Sequence, residues 1–258
     1  MGTFLRPSLT FLMCLLHAGT SAWAHAQEYS RDDYLALIES YVEKTRTIYD
    51  GTWAYSYTMR DRETGESVSW RVDPSKPLLE SEVLLAENGE PPSAEALADQ
   101  EKRLQRRLRR QQREERRSLV DEEREREGDE KTRFLDLIIR DSVRLISQDG
   151  DLHTLSFRGM EEDRRKIYEH LVGTLVLDTR LGYIKELQIR VTEPFSPYLI
   201  MRINAGFFAI RFALEDGVPV QQDATWQLEG HVLYMRELDR NQTVSWFDIS
   251  PVGNDAAP

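Results

Sequence analysis

Few residues in this chain have the type and spacing to do chemistry. Three histidines lie beyond residue 26, His153, His170 and His231, and none has a second metal ligand at helical or hairpin spacing. A metal site needs several ligands converging on one point, each oriented by a partner behind it. The three therefore read as surface or hydrogen-bonded strand histidines. No Gly-x-Ser-x-Gly elbow occurs, and no glycine-rich loop precedes Lys-Ser or Lys-Thr. The adjacent Glu161 and Glu162 sit in a polar connection and read as solvated charge rather than as an acid and base. No nucleophile, base and orienter can be assembled, so the sequence predicts no enzyme, no cofactor and no metal. An exported hydrolase is the reading this most disfavours.

What recurs instead is apolar character facing one way. Trp53, Tyr55 and Tyr57 alternate with small residues, and Trp70 sits in a similar alternation just downstream. Leu175 and Leu177, Leu187 and Ile189, then Phe208, Ile210 and Phe212, then Trp226 and Leu228 also fall at period two. These residues are the candidate lining of a site for a hydrophobic ligand. The competing reading is that they pack against one another as a filled core.

The elements that must position them are mostly strands. Apolar segments Leu171 to Leu177, Tyr183 to Val191, Tyr198 to Leu214 and Val218 to Leu238 follow one another, with Thr243 to Ile249 closing the set. Turn residues separate them: Asp178 to Gly182, Glu193-Pro194 with Pro197, Glu215-Asp-Gly217, and Asp239 to Gln242. Upstream, Trp53 to Met59 and Val68 to Val72 make a hairpin around Asp61 to Gly65, and Leu79 to Leu85 offers a third strand. Val143 to Ile146 and Leu152 to Phe157 flank an Asp149-Gly150 turn, and Phe134 to Ile139 reads as a short helix. Ser30, Asp32 and Asp33 start a helix whose Tyr34, Leu37, Ile38, Tyr41, Val42 and Ile48 form one apolar stripe ending near Tyr49. The fold class is α+β: a curved antiparallel sheet covered by an N-terminal helix.

One stretch breaks this pattern. From Lys102 to Arg117 there are nine basic and two acidic residues, and from Ser118 to Glu130 seven acidic and two basic. With Ser93 as a helix start, residues 93–131 read as a charged helical insertion, about 50 Å long if continuous to Glu127. Leu97, Leu104, Leu108 and Leu119 leave too many gaps for a coiled coil. The stretch is a solvated helix, a basic docking arm or a helix packed partly over the sheet. As an arm, Arg103, Arg106, Arg107, Arg109, Arg110 and Arg113 would meet an envelope protein or an anionic membrane surface, and its deletion would leave the fold intact.

Length and charge set the frame. Met1 to Ala26 has one basic residue, Arg6, an apolar run from Leu9 to Leu16 and a small-residue ending, the layout of a cleaved secretory signal peptide. Met13 before Cys14 argues against lipidation. With Cys14 removed no thiol remains, which suits a bacterial periplasm. For the same reason the Asn241-Gln-Thr243 glycosylation pattern is discounted. The whole chain carries 34 basic and 45 acidic residues. Such an acidic protein is a poor partner for nucleic acid. Residues 27–258 are read as a single domain, and the oligomeric state is left open.

Gly173-Thr-Leu-Val-Leu-Asp178, Gly182-Tyr-Ile-Lys-Glu-Leu187 and Asp216-Gly-Val-Pro219 resemble the outer-membrane lipoprotein-sorting superfamily, the LolA/LolB-like carriers. The resemblance covers about Leu171 to Trp226. It implies a half-barrel whose concave face, lidded by helices, holds acyl chains, a lipid or a lipoprotein without cofactor or covalent chemistry. The charged insertion has no counterpart in that pattern. The alternative from another class is a cell-envelope interaction or sensing module with a filled core, binding a protein partner through the charged arm.

Overall fold

Period-two stretches become strands and period-3.6 stretches become helices, and the strands dominate. The computed structural model describes residues 29–46, 53–121, 134–160, 168–198, 200–232 and 236–252. The expected signal peptide with Cys14, the first helix beyond Arg46, most of the acidic stretch after Asp121, and Glu161 to Lys166 lie outside the described residues.

Helix α1 (Arg31–Arg46) precedes strands β1 (Trp53–Asp61), β2 (Ser67–Val72) and β3 (Glu82–Glu87), and helix α2 (Ala94–Asp121) follows them. Short 3-10 turns at Phe134–Leu137 and Arg140–Ser142 lead into β4 (Arg144–Asp149) and β5 (Leu152–Arg158). After a third turn at Tyr168–His170 come β6 (Leu171–Asp178), β7 (Tyr183–Val191), β8 (Phe195–Tyr198), β9 (Met201–Glu215), β10 (Val218–Val232) and β11 (Arg236–Pro251). The expected third strand exists but is displaced toward the C-terminus, starting at Glu82.

All strands join one antiparallel sheet, in the order β3-β2-β1-β11-β10-β9-β7-β6-β5-β4, with β8 paired to β9 alone. β3 and β4 are its edges, so it does not close into a barrel. The first strand lies beside the last, with Met59 opposite Val244. This gives an α+β protein built mainly on a large antiparallel sheet.

The tight turns form where their residue types allow. Asp216 and Gly217 both have positive φ, 51° and 80°, as a two-residue hairpin of this hand requires. Gly182 has φ 72°, and Asp178 Oδ1 accepts the backbone N–H of Leu181 at 2.8 Å.

One expected turn is strand, and a second is so in part. Asp239 to Gln242 lies inside β11, with Gln227 opposite Asn241 and Trp226 opposite Gln242. Its polar residues are held extended by pairing with β10 along their whole length, β1 joins at Gln242, Arg62 N–H donates to the Asn241 carbonyl, and Trp226 Nε1 donates to Gln242 Oε1 at 2.9 Å. Pro197 likewise sits within β8, which needs backbone partners on one side only, and Phe195 there is opposite Ile203.

The register gives the sheet two unlike faces. One row runs Leu155, Leu175, Leu187, Ile210, Ala224, Val244, Met59, Val68 across eight adjacent strands. A row on the other face runs Ser156, Thr174, Gln188, Ala209, Thr225, Thr243. Antiparallel sheets tolerate one polar face, so hydrophobic burial is concentrated on the first.

Candidate hydrophobic-ligand face

All thirteen lining candidates fall on the apolar face. Alternation places Trp53, Tyr55 and Tyr57 together, and Tyr57 is opposite Trp70. Phe208 is opposite both Ile189 and Trp226, and Leu228 opposite Gly206. Phe212 shares the alternation of Phe208 and Ile210.

Helix α1 lies against β7 and β10. Its Tyr34, Ile38 and Tyr41 are buried, as the stripe required. Tyr34 Oη is 3.0 Å from Nδ1 of buried His153 on β5, and Lys44 Nζ donates to the carbonyl of Gly182 at 3.1 Å. The core is driest on β5 and β6: Leu155, Leu175 and Leu177 are 0 % exposed. Each such side chain contributes about 1.5–3 kcal/mol by leaving water.

Helix α2 covers a separate sector. Its Leu104 is 4 % exposed, and it shelters Trp70 at 8 % and Leu84 at 5 %. Arg103 stacks over the Trp70 ring at 4.2 Å and pairs with Glu82 at 3.3 Å, while Arg107 pairs with the other carboxylate oxygen of Glu82. Gln100 donates to the carbonyl of Glu82 at 2.7 Å and accepts the N–H of Leu84 at 3.3 Å, satisfying part of the free β3 edge. Ser93 Oγ caps the helix by accepting the N–H of Ala96 at 3.1 Å. Tyr55 and Tyr57 beneath are pushed above the ordinary phenol pKa by burial first and by the Glu82 carboxylate second.

The first half of the charged helix is therefore packed on the sheet rather than solvated all round, because Leu104 is buried, Arg103 lies over Trp70 and Gln100 bonds the open β3 edge. Arg103 and Arg107 are spent on Glu82. Arg106, Arg109, Arg110 and Arg113 are exposed. Helical spacing puts Lys102, Arg106, Arg109 and Arg113 on the side away from Leu104. Glu82, Gln100 and Leu104 had no place in the sequence-based site. Their available signal was the leucine spacing Leu97, Leu104, Leu108, which the surrounding charge hides.

Between these sectors the apolar face is less well covered. Leu187, Ile189, Phe208, Phe212, Trp226 and Leu228 are half-buried, unlike the dry residues on β6. An open groove of about 520 Å³ lies between α1 and the Phe134–Leu137 turn, lined by Val42, Leu135 and two glutamates, Glu39 and Glu43, and by none of the thirteen candidates.

The histidines sit in hydrogen-bonded or strand positions. His153 is placed as above, His170 lies between Glu169 and Glu193 at 3.1 Å from each and stacks on Phe195, and His231 is half-buried on β10. Among the described residues no group of three or more His, Cys, Asp or Glu is placed to hold a metal ion. No helix of the described residues is long and apolar enough to cross a membrane.

Comparison with family models, with curated proteins and with solved structures finds no significant match to this chain.

Proposed function

We propose that this protein is a non-enzymatic periplasmic carrier that holds an acyl chain, a lipid or the lipid moiety of a lipoprotein on the apolar face of a half-barrel. The supporting observation is the contrast within one aligned face, where Leu175 and Leu177 are dry while Ile189, Phe208, Trp226 and Leu228 stay half-buried. A ligand lying on that sector would gain about 0.8 kcal/mol for each methylene taken from water. The reading keeps the LolA/LolB-like resemblance as its fold analogy, with the N-terminal helix as a lid and the signal peptide as the route of export. No cofactor or chemical step is required.

The outward row Lys102, Arg106, Arg109 and Arg113 on α2 supports a second component, contact with an anionic lipid surface or an acidic envelope partner. If the core proves filled, that row becomes the working surface of an interaction or sensing module.

Native mass spectrometry of the protein purified from a periplasm, followed by lipid extraction, tests the carrier reading. A stoichiometric lipid or acylated peptide that returns on reconstitution supports it. An empty protein that also refuses fluorescent fatty acids overturns it.

A further inference from the structure

The polar face carries a feature that the hydrophobic-ligand reading does not use. Along one row, Arg158 on β5, Val172 on β6, Arg190 on β7, Phe207 on β9 and Gln227 on β10 lie side by side. Arg158 and Arg190 flank Val172, about 10 Å apart by strand spacing. Both are exposed, and neither guanidinium has a carboxylate in salt-bridge range among the described residues. On the same face Arg211 is held by Asp223 at 2.8 Å.

Arg190 leans over the Phe207 ring, with Cζ 5.9 Å from its centroid. Two open grooves meet at this pair. One, about 220 Å³, is lined by Val172, Thr174, Gln188, Arg190, Thr192 and Phe207, with no carboxylate. The other, about 420 Å³, shares Arg190 and Phe207 and extends past Gly206 and Gln227 to Glu229. Within the smaller groove the Thr192 hydroxyl already donates to the carbonyl of His170, and the Gln188 amide to Glu186. The donors left for a ligand are the Arg190 fork, the Thr174 hydroxyl and the second N–H of the Gln188 amide, beside an aromatic wall. A planar guanidinium with unspent N–H groups matches the paired oxygens of phosphate or carboxylate.

We infer that this face binds a small ligand bearing an oxyanion, phosphate or carboxylate, which Arg190 and Thr174 hold and Arg158 attracts, while the ligand's ring lies on Phe207. The site is on the sheet face opposite the proposed lipid surface, so its occupancy is independent of lipid content.

Isothermal titration calorimetry of the full chain with inorganic phosphate, glucose 6-phosphate and galacturonate tests the inference. Saturable, salt-sensitive binding of at least one probe is expected, and which probes bind distinguishes phosphate from carboxylate. Arg190→Gln should weaken binding roughly tenfold or more. Phe207→Leu should weaken the ring-bearing probes while sparing inorganic phosphate. Thermal melts of both variants matching the parent would exclude loss of fold as the cause. Failure of all three probes to bind the parent, or equal binding by Arg190→Gln, overturns it.

Discussion

The ring of Phe157 on β5 occupies the space that any side chain at Gly173 on β6 would need, the two residues being opposite each other across the strand pair. A Cβ at Gly173 would overlap the ring itself. Glycine weakens a strand by its backbone freedom, and an aromatic laid over it from the next strand restores buried area. Phe134 meets the same ring edge-on at 5.6 Å, so the Phe134–Leu137 turn is tied to the sheet through it.

Gly173→Ala should therefore destabilise the protein by about 1–3 kcal/mol, read from urea unfolding midpoints. Combined with Phe157→Leu, the alanine should cost less than it does alone, because the clashing ring is gone. Strict additivity of the two changes would show that the residues do not share that space.

Leu175 and Phe208 lie on the same face but should respond oppositely. Leu175→Ala empties a fully buried position and should cost about 2–5 kcal/mol. Phe208→Asp, at a half-buried position, should lower uptake of a fluorescent fatty acid while leaving most of the stability. Equal loss of stability in both variants would mean that the face is one filled core.

Leu104→Ala on α2 should cost about 2–4 kcal/mol, and removing residues 93–131 should destabilise the sheet by uncovering Trp70, Leu84 and the β3 edge. Tryptophan fluorescence and thermal melting follow both. A deletion variant that melts like the parent would return the helix to the status of a solvated appendage.

Reversing Arg106, Arg109 and Arg113 to glutamate should abolish sedimentation with phosphatidylglycerol vesicles, because these cations are exposed and Glu82 is held by Arg103 and Arg107 instead. The parent's binding should fade with salt and be absent on phosphatidylcholine. Unchanged binding by the triple variant would remove α2 as the membrane contact.

Asp61 sets a pH dependence at the β1–β2 turn. Its Oδ1 accepts the N–H groups of Glu63 and Thr64 at 2.9 and 3.0 Å, and these bonds, Thr64 first, hold its carboxyl below the ordinary value of 3.8. A folded pKa below the unfolded one gives stability that is present above the ordinary carboxyl range and lost as pH falls through the folded value. Asp61→Asn keeps an acceptor without the charge. The parent's advantage over it in urea midpoint should be flat near neutral pH and shrink in acid below 3.8. An advantage that does not vary with pH would assign the effect to geometry alone.

The sequence by itself determined the unlike faces of the sheet and most of its turns. Period-two alternation fixes which side chains share a face within each strand, and Asp216-Gly217 and Gly150 supply positive φ locally, so neither depends on distant residues. Tertiary structure decided the rest. Only the pairing of β1 with β11, the first strand with the last, continues the apolar row from Val244 to Met59. Only pairing with β10, residue by residue, turns Asp239 to Gln242 from turn residues into strand. And only the open edge of β3, with Glu82 as its charge anchor, selects the Leu104 side of a helix whose composition favours water, because docking energy depends on a partner surface that helical periodicity cannot reveal.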